Sequence, residues 1–112
     1  MMKNCCQKAV EVDLTKEEHS IALKISNLYK VLSEPKRVKI VLALSKNSLC
    51  VHQIIKIVDA EQSLVSHQLK ILRDANLAKT ERRGNEVVYS LVDEHVAILL
   101  SIAKEHICEG DE

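Results

Sequence analysis

The hydrophobic pattern changes period along the chain, and the changes mark its elements. Residues 1–13 show no clear period and read as part of a flexible N-terminal arm (1–14) ahead of one domain at 15–112. Thr15 followed by Glu18 is a capping-box pattern. Behind it, Ile21, Ile25, Leu28 and Leu32 recur on one stripe of a helix. Ser33-Glu34-Pro35 breaks that helix, and Pro35 suits the first turn of the next, which should run to Ser45 with Val38, Val41 and Leu42 inward. Residues 47–49 read as a short connection and 51–58 as a short third helix. Asp59-Ala60-Glu61 is a tight turn before a fourth helix that runs to Ala75. The period then falls to two. Residues 77–82 and 86–92 read as strands around a Gly84-Asn85 hairpin turn. Asp93 opens a last helix that runs to Cys108. The predicted order is α-α-α-α-β-β-α, a mainly α (α+β) domain without internal repeat or linker.

Composition narrows this. The chain is 46% hydrophobic with two glycines and one proline in 112 residues, enough for a core and a largely helical fold. Trp and Phe are absent, so the core is aliphatic, and two tyrosines argue against nucleic-acid binding on rows of stacked aromatics. The formal net charge is zero but uneven. Residues 62–85 carry Lys70, Arg73, Lys79, Arg82 and Arg83 against Asp74 and Glu81, a balance of +3, whereas residues 93–112 carry six acids against Lys104, a balance of −5. A polyanion would meet the first stretch and avoid the second. No signal peptide and no apolar run of about 18 residues is present, so the expectation is a cytoplasmic protein with no membrane partner. Cys5, Cys6, Cys50 and Cys108 then read as reduced thiols or metal ligands, not a disulfide framework. No phosphate loop, nucleophile elbow or acid pair points to an enzyme or to a small-molecule substrate.

Two short helices joined by a tight turn, followed by a basic hairpin, have a physical use. The second helix fits the major groove of B-DNA, where its first residues reach base edges. Residues 62–73 form this recognition helix. Gln62, Ser63, Ser66 and His67 are its hydrogen-bonding candidates, Leu64, Leu69 and Leu72 face the core, and Lys70 and Arg73 reach phosphates. Arg82, Arg83 and Asn85 at the hairpin tip suit the backbone or the minor groove. The pattern therefore predicts a winged helix-turn-helix that binds double-stranded DNA.

Glu34-Pro35-Lys36-Arg37-Val38, Leu49-Cys50-Val51, the run from Leu64 through Ser66-His67-Gln68-Leu69-Lys70 to Leu72, and Val88-Tyr89-Ser90-Leu91 resemble the ArsR/SmtB family of metal-sensing repressors. The resemblance implies a homodimer, here through the first and last helices, that binds operator DNA without metal and releases it with metal. Where the family often has Gly-Leu-Ser entering the recognition helix, this chain has Asp59-Ala60-Glu61, which supplies a weaker N-cap and an acid near the DNA.

The last helix carries a split ligand set. His106 and Glu109 are three residues apart and share a face. Asp93 and His95 share one if Asp93 is the N-cap. Eleven residues separate His95 from His106, about 16 Å along a helix, too far for one metal bound at about 2 Å by imidazole nitrogen. Two antiparallel copies would bring Asp93 and His95 of one chain to His106 and Glu109 of the other, with the two-fold axis near Leu100 and Ser101. Residues 96–103, apolar on nearly every side, suit that interface. Two imidazoles and two carboxylates in a tetrahedron favour Zn(II), with Co(II) and Ni(II) as competitors. The pattern also matches the family's zinc-type site on this helix. The resemblance further implies that the second ring N–H of His106 is accepted by a backbone carbonyl just past the recognition helix, here that of Asn76.

Cys50 and His52 open the third helix, where family members that bind soft metals carry Cys-Val-Cys. With Cys5 or Cys6 they form a second candidate site for Cd(II), Pb(II), Zn(II) or Cu(I), or a thiol-based redox or persulfide switch. Cys108 points off the ligand face and His19 has no partner at ligand spacing. A metal-buffering protein without specific DNA binding is the alternative from a different class.

Overall fold

The computed structural model describes residues 10–110. Cys5 and Cys6, and most of the proposed arm, lie outside the described residues. The first helix, α1 (Lys16–Val31), starts at the predicted capping box: Thr15 Oγ1 accepts from Glu18 N at 3.0 Å and Glu18 Oε1 accepts from Thr15 N at 2.9 Å. Helix α2 (Pro35–Leu44) has Pro35 in its first turn, and the Glu34 carboxylate accepts from Arg37 N.

Strand β1 (Leu49–Cys50) comes next, a two-residue element in place of the expected connection. It exists because Leu49 and Cys50 lie against Tyr89 and Val88 of a strand roughly forty residues later, a pairing that local pattern does not carry. Helix α3 (Val51–Val58) ends at Asp59, which is left-handed at φ 53°, the conformation that short Asp side chains tolerate. Helix α4 (Gln62–Asp74) follows. Asn76, at φ 61°, closes α4 in a Schellman motif, with Leu77 N donating to Leu72 O at 2.9 Å and Asn76 N to Arg73 O at 3.0 Å.

Strands β2 (Ala78–Arg83) and β3 (Glu86–Leu91) pair antiparallel from Ala78↔Leu91 to Arg83↔Glu86, leaving Gly84 and Asn85 as a two-residue turn. Gly84 has φ +63°, which a hairpin of this length requires and a side chain would strain. The sheet order is β1-β3-β2. Helix α5 (His95–Glu109) is last.

The core is aliphatic, as composition required. Ile40, Val41, Ile54, Val65, Leu69 and Leu72 are fully buried where α2, α3 and α4 meet. Two inward assignments need correction. Leu42 and Leu64 are exposed, and Ile40 and Val65 occupy the core positions instead. In α4 the buried residues Val65, Gln68, Leu69 and Leu72 fall within about 100° of arc, and Leu64 lies about 100° from Val65 around the helix. The expected stripe on α1 is present, but α1 has no buried residue, and Ile21 and Ile25 are exposed. The fold therefore leaves the face of α1 and most of α5 uncovered in one chain.

Candidate nucleic-acid interface and metal centre

The core stripe of α4 fixes its opposite face. With Val65, Leu69 and Leu72 inward, Ser63, His67 and Lys70 lie on the far side and Gln62, Ser66 and Arg73 flank the core stripe, all six exposed. The helix enters on Glu61, whose side chain makes no cap bond, so the first N–H groups of α4 lack a side-chain acceptor. Beneath the helix Gln68 is buried, and among the described residues its Oε1 has no partner.

The hairpin carries Arg82, Arg83 and Asn85 into solvent, but the basic residues of this surface are not equivalent. Arg83 Nε donates to Glu81 Oε1 at 2.8 Å, and Lys70 Nζ lies 3.3 Å from Asp74 Oδ2. The Arg83 hydrogen bond and charge hold the Glu81 carboxyl below its ordinary value of 4.5. Arg73, Lys79 and Arg82 make no ion pair among the described residues. Glu81 is the partner that sequence reasoning missed, although two residues apart on a strand share a face.

At the other end of the molecule, the N-cap of α5 is Glu94, not Asp93 as expected. Glu94 is already helical, so the capping is done from one residue further back: Asp93 Oδ1 accepts from His95 N at 2.9 Å. The same oxygen lies 3.4 Å from His95 Nδ1, with both side chains open to solvent. The first donor pair is thus assembled within one chain. His106 and Glu109 are also exposed, one turn apart near the end of α5. Among the described residues no three His, Cys, Asp or Glu side chains come within reach of one metal ion, as the helix length demands. Between the pairs, Ile98 is 48% and Ile102 59% exposed. Tyr29, Leu32, Leu99, Leu100 and Ile102 form an apolar groove that ends at His106. Cys50 is half-buried at the N-cap of α3 and His52 is exposed two residues on.

A polar recognition helix beside a basic hairpin, on a three-helix core, defines a winged helix-turn-helix regulator, a class built to bind DNA. The family of bacterial regulatory proteins described as arsR matches residues 34–80. A transcriptional repressor SmtB homolog of Synechocystis is 37% identical over 90 residues, spanning 80% of this chain and 68% of that protein. A cadmium resistance transcriptional regulatory protein, a CadC homolog of Staphylococcus aureus, is 36% identical over 95 residues, spanning 84% and 76%. The homodimeric winged helix-turn-helix DNA-binding domain Mb0332 of Mycobacterium bovis superposes with a TM-score of 0.77 over 91% of this chain and 94% of that one; its 20% identity speaks for the fold alone. The chain belongs to the arsR family of transcriptional regulators. Among the described residues no helix is long and apolar enough to cross a membrane.

Proposed function

We propose that this chain is a metal-responsive transcriptional repressor. It binds operator DNA as a homodimer and releases it when a divalent metal, Zn(II) first among the candidates, binds at Asp93, His95, His106 and Glu109 shared between two chains. One observation carries the reading: the four donors sit in two pairs at opposite ends of α5, with exposed aliphatic residues between them. The donors fit a metal in chemistry and in access. Each end offers one imidazole and one carboxylate, all solvent-facing, and two ends from antiparallel helices make the four-coordinate N/O set that zinc takes. Co(II), Ni(II) and Cd(II) are its competitors. The names of the SmtB and CadC homologs support repression and a divalent metal.

A bound metal would supply a cross-link between the two copies of α5. The protein's part is to translate that link to the DNA heads. His106 stands beside the apolar groove between α1 and α5; in this reading, once one ring nitrogen is on the metal, the other would donate to the Asn76 carbonyl at the end of the recognition helix. A coupling of a few kcal/mol between metal and DNA is sufficient for a repressor.

The test is zinc titration of the dimer bound to its own upstream DNA, comparing the parent with His95→Ala, His106→Gln and Cys50→Ser. The parent and Cys50→Ser should release DNA while both histidine variants hold it. Release by His106→Gln at the parent's zinc concentration would overturn the reading. If Cys50→Ser alone loses the response, the sensing site is Cys50 and His52 with Cys5 or Cys6, for a soft metal or an oxidant. Metal binding without any preference for upstream DNA would indicate a metal buffer.

A further inference from the structure

One open cleft of about 600 Å³ lies between the start of α3, the outer side of α4 and the wing. Its lining is rich in hydrogen-bond donors. Arg73 and Ser66 come from α4, His52 from α3, and Thr80, Tyr89 and Asn85 from the wing. The sheet register explains why they converge. Ala78 and Leu91 pack on the core from one face of the sheet, and Tyr89 with its direct partner Thr80 on β2 continues that face toward the wing tip, where it leaves the core and meets α4 across the cleft. The Arg73 guanidinium makes no ion pair among the described residues, whereas Lys70 and Arg83 each have a carboxylate partner. Glu86 is the one acid in the lining. Cys50, whose backbone pairs with Val88 at the sheet edge, completes the wall.

We propose that this cleft seats the sugar-phosphate backbone of the DNA, so that His52, Thr80 and Tyr89 are DNA-contact residues and the Cys50 thiol lies beneath the bound strand. The proposal rests on the DNA-binding reading above. It commits to a phosphodiester because the cleft joins the two elements that would grip a duplex. With α4 in the major groove and the wing against the neighbouring backbone, the strand between them crosses this opening. A guanidinium, two hydroxyls, a phenol, an amide and an imidazole match phosphate oxygens. Cys50 then acquires a role that needs no metal and no change in the dimer. Any adduct on its sulfur occupies the place of the DNA strand, and an anionic one adds repulsion.

Backbone contacts are independent of sequence, so the probe is a fluorescein-labelled 30-bp duplex of random sequence at low salt. The protein is the full chain with Cys5, Cys6 and Cys108 changed to serine. The reagents are iodoacetate and iodoacetamide, each of which forms an S–C bond at Cys50 as iodide leaves. Saturating duplex should slow alkylation at least about tenfold. Carboxymethylation should weaken duplex binding more than the neutral carbamidomethyl group does. His52→Ala and Thr80→Ala should each weaken it roughly three- to tenfold, the range for one lost hydrogen bond. The protection arm keeps the native residue at Cys50 and does not depend on the His52 and Thr80 variants folding. If the protein binds duplex while Cys50 alkylates equally fast with and without it, this proposal is wrong and the repressor reading stands. If the unmodified protein does not bind duplex at low salt, both are wrong.

Discussion

Helices α4 and α5 are of similar length, and the more hydrophobic of the two is the less buried. Helix α4 carries a polar face, yet Val65, Leu69 and Leu72 are at most 1% exposed. Helix α5 is aliphatic over most of its turns, yet it buries only Val96, and Ile107 is 64% exposed. The difference separates two regions of the molecule. The DNA-reading head is finished within one chain, because α2, α3, α4 and the sheet supply one another's missing faces. The α1/α5 region is not. Each large aliphatic side chain left half in water there forgoes roughly half of the about 1.5–3 kcal/mol that full burial brings. The candidate metal donors share this incompleteness, since one chain holds half a site at each end of α5. In our proposal the surface that contacts DNA is completed by the protomer's fold, whereas operator binding and its regulation belong to the pair.

This comparison can be broken most forcefully in the head's core. Leu69→Ala should destabilise the protein by about 2–5 kcal/mol in denaturant unfolding, with the loss independent of protein concentration. Ile98→Ala with Ile102→Ala should leave the head's unfolding unchanged and weaken self-association, seen by sedimentation as a shift toward monomer. An equal loss of stability in both variants, measured at a concentration where the parent is monomeric, would contradict the division.

A smaller effect is expected at the entrance to α4. Glu61→Ser supplies the absent cap bond and should add up to about 1 kcal/mol to thermal or denaturant stability. It should also strengthen duplex binding by removing an acid beside it.

Within the wing the prediction is finer. Arg82→Ala should lower the slope of log K against log salt by about 0.9, as one lost phosphate contact. Arg83→Ala should lower it less, because its guanidinium is held by Glu81. Equal slopes in fluorescence anisotropy would mean that DNA pulls Arg83 off its partner.

The smallest expected effect is on the acid side. Glu81 titrates below its ordinary value of 4.5 because Arg83 bonds and attracts its charged form. A lowered folded-state pKa gives a contribution that is present above the ordinary value and is lost as pH falls through the folded one. Arg83→Gln should return the Glu81 carboxyl to the ordinary range in an NMR titration. No such return would remove the ion pair from the description of the wing.

The first capping box, the breaks at Pro35 and Asp59, the hairpin at Gly84 and the outward residues of α4 were legible in the chain, because each rests on residues a few positions apart. The separation of the candidate donors into two pairs was legible for the same reason: helix rise converts sequence spacing directly into distance. Strand β1 was not legible, because Leu49 and Cys50 become a strand only against Tyr89 and Val88. Nor was the rotation of α2 and α4 that turns Leu42 and Leu64 outward, since neighbouring elements choose which of several apolar residues goes inside. The gathering of His52, Arg73 and Thr80 around one cleft belongs to tertiary structure as well, whereas the Glu81–Arg83 pair and the capping of α5 from Asp93 are contacts two residues apart that the chain already carried. By itself the sequence determined the elements, the polar face of the recognition helix and the spacing of the donors, all set by local periodicity. The tertiary structure decided which apolar faces were left without a partner and which side chains met across the fold, because burial and register depend on segments far apart along the chain.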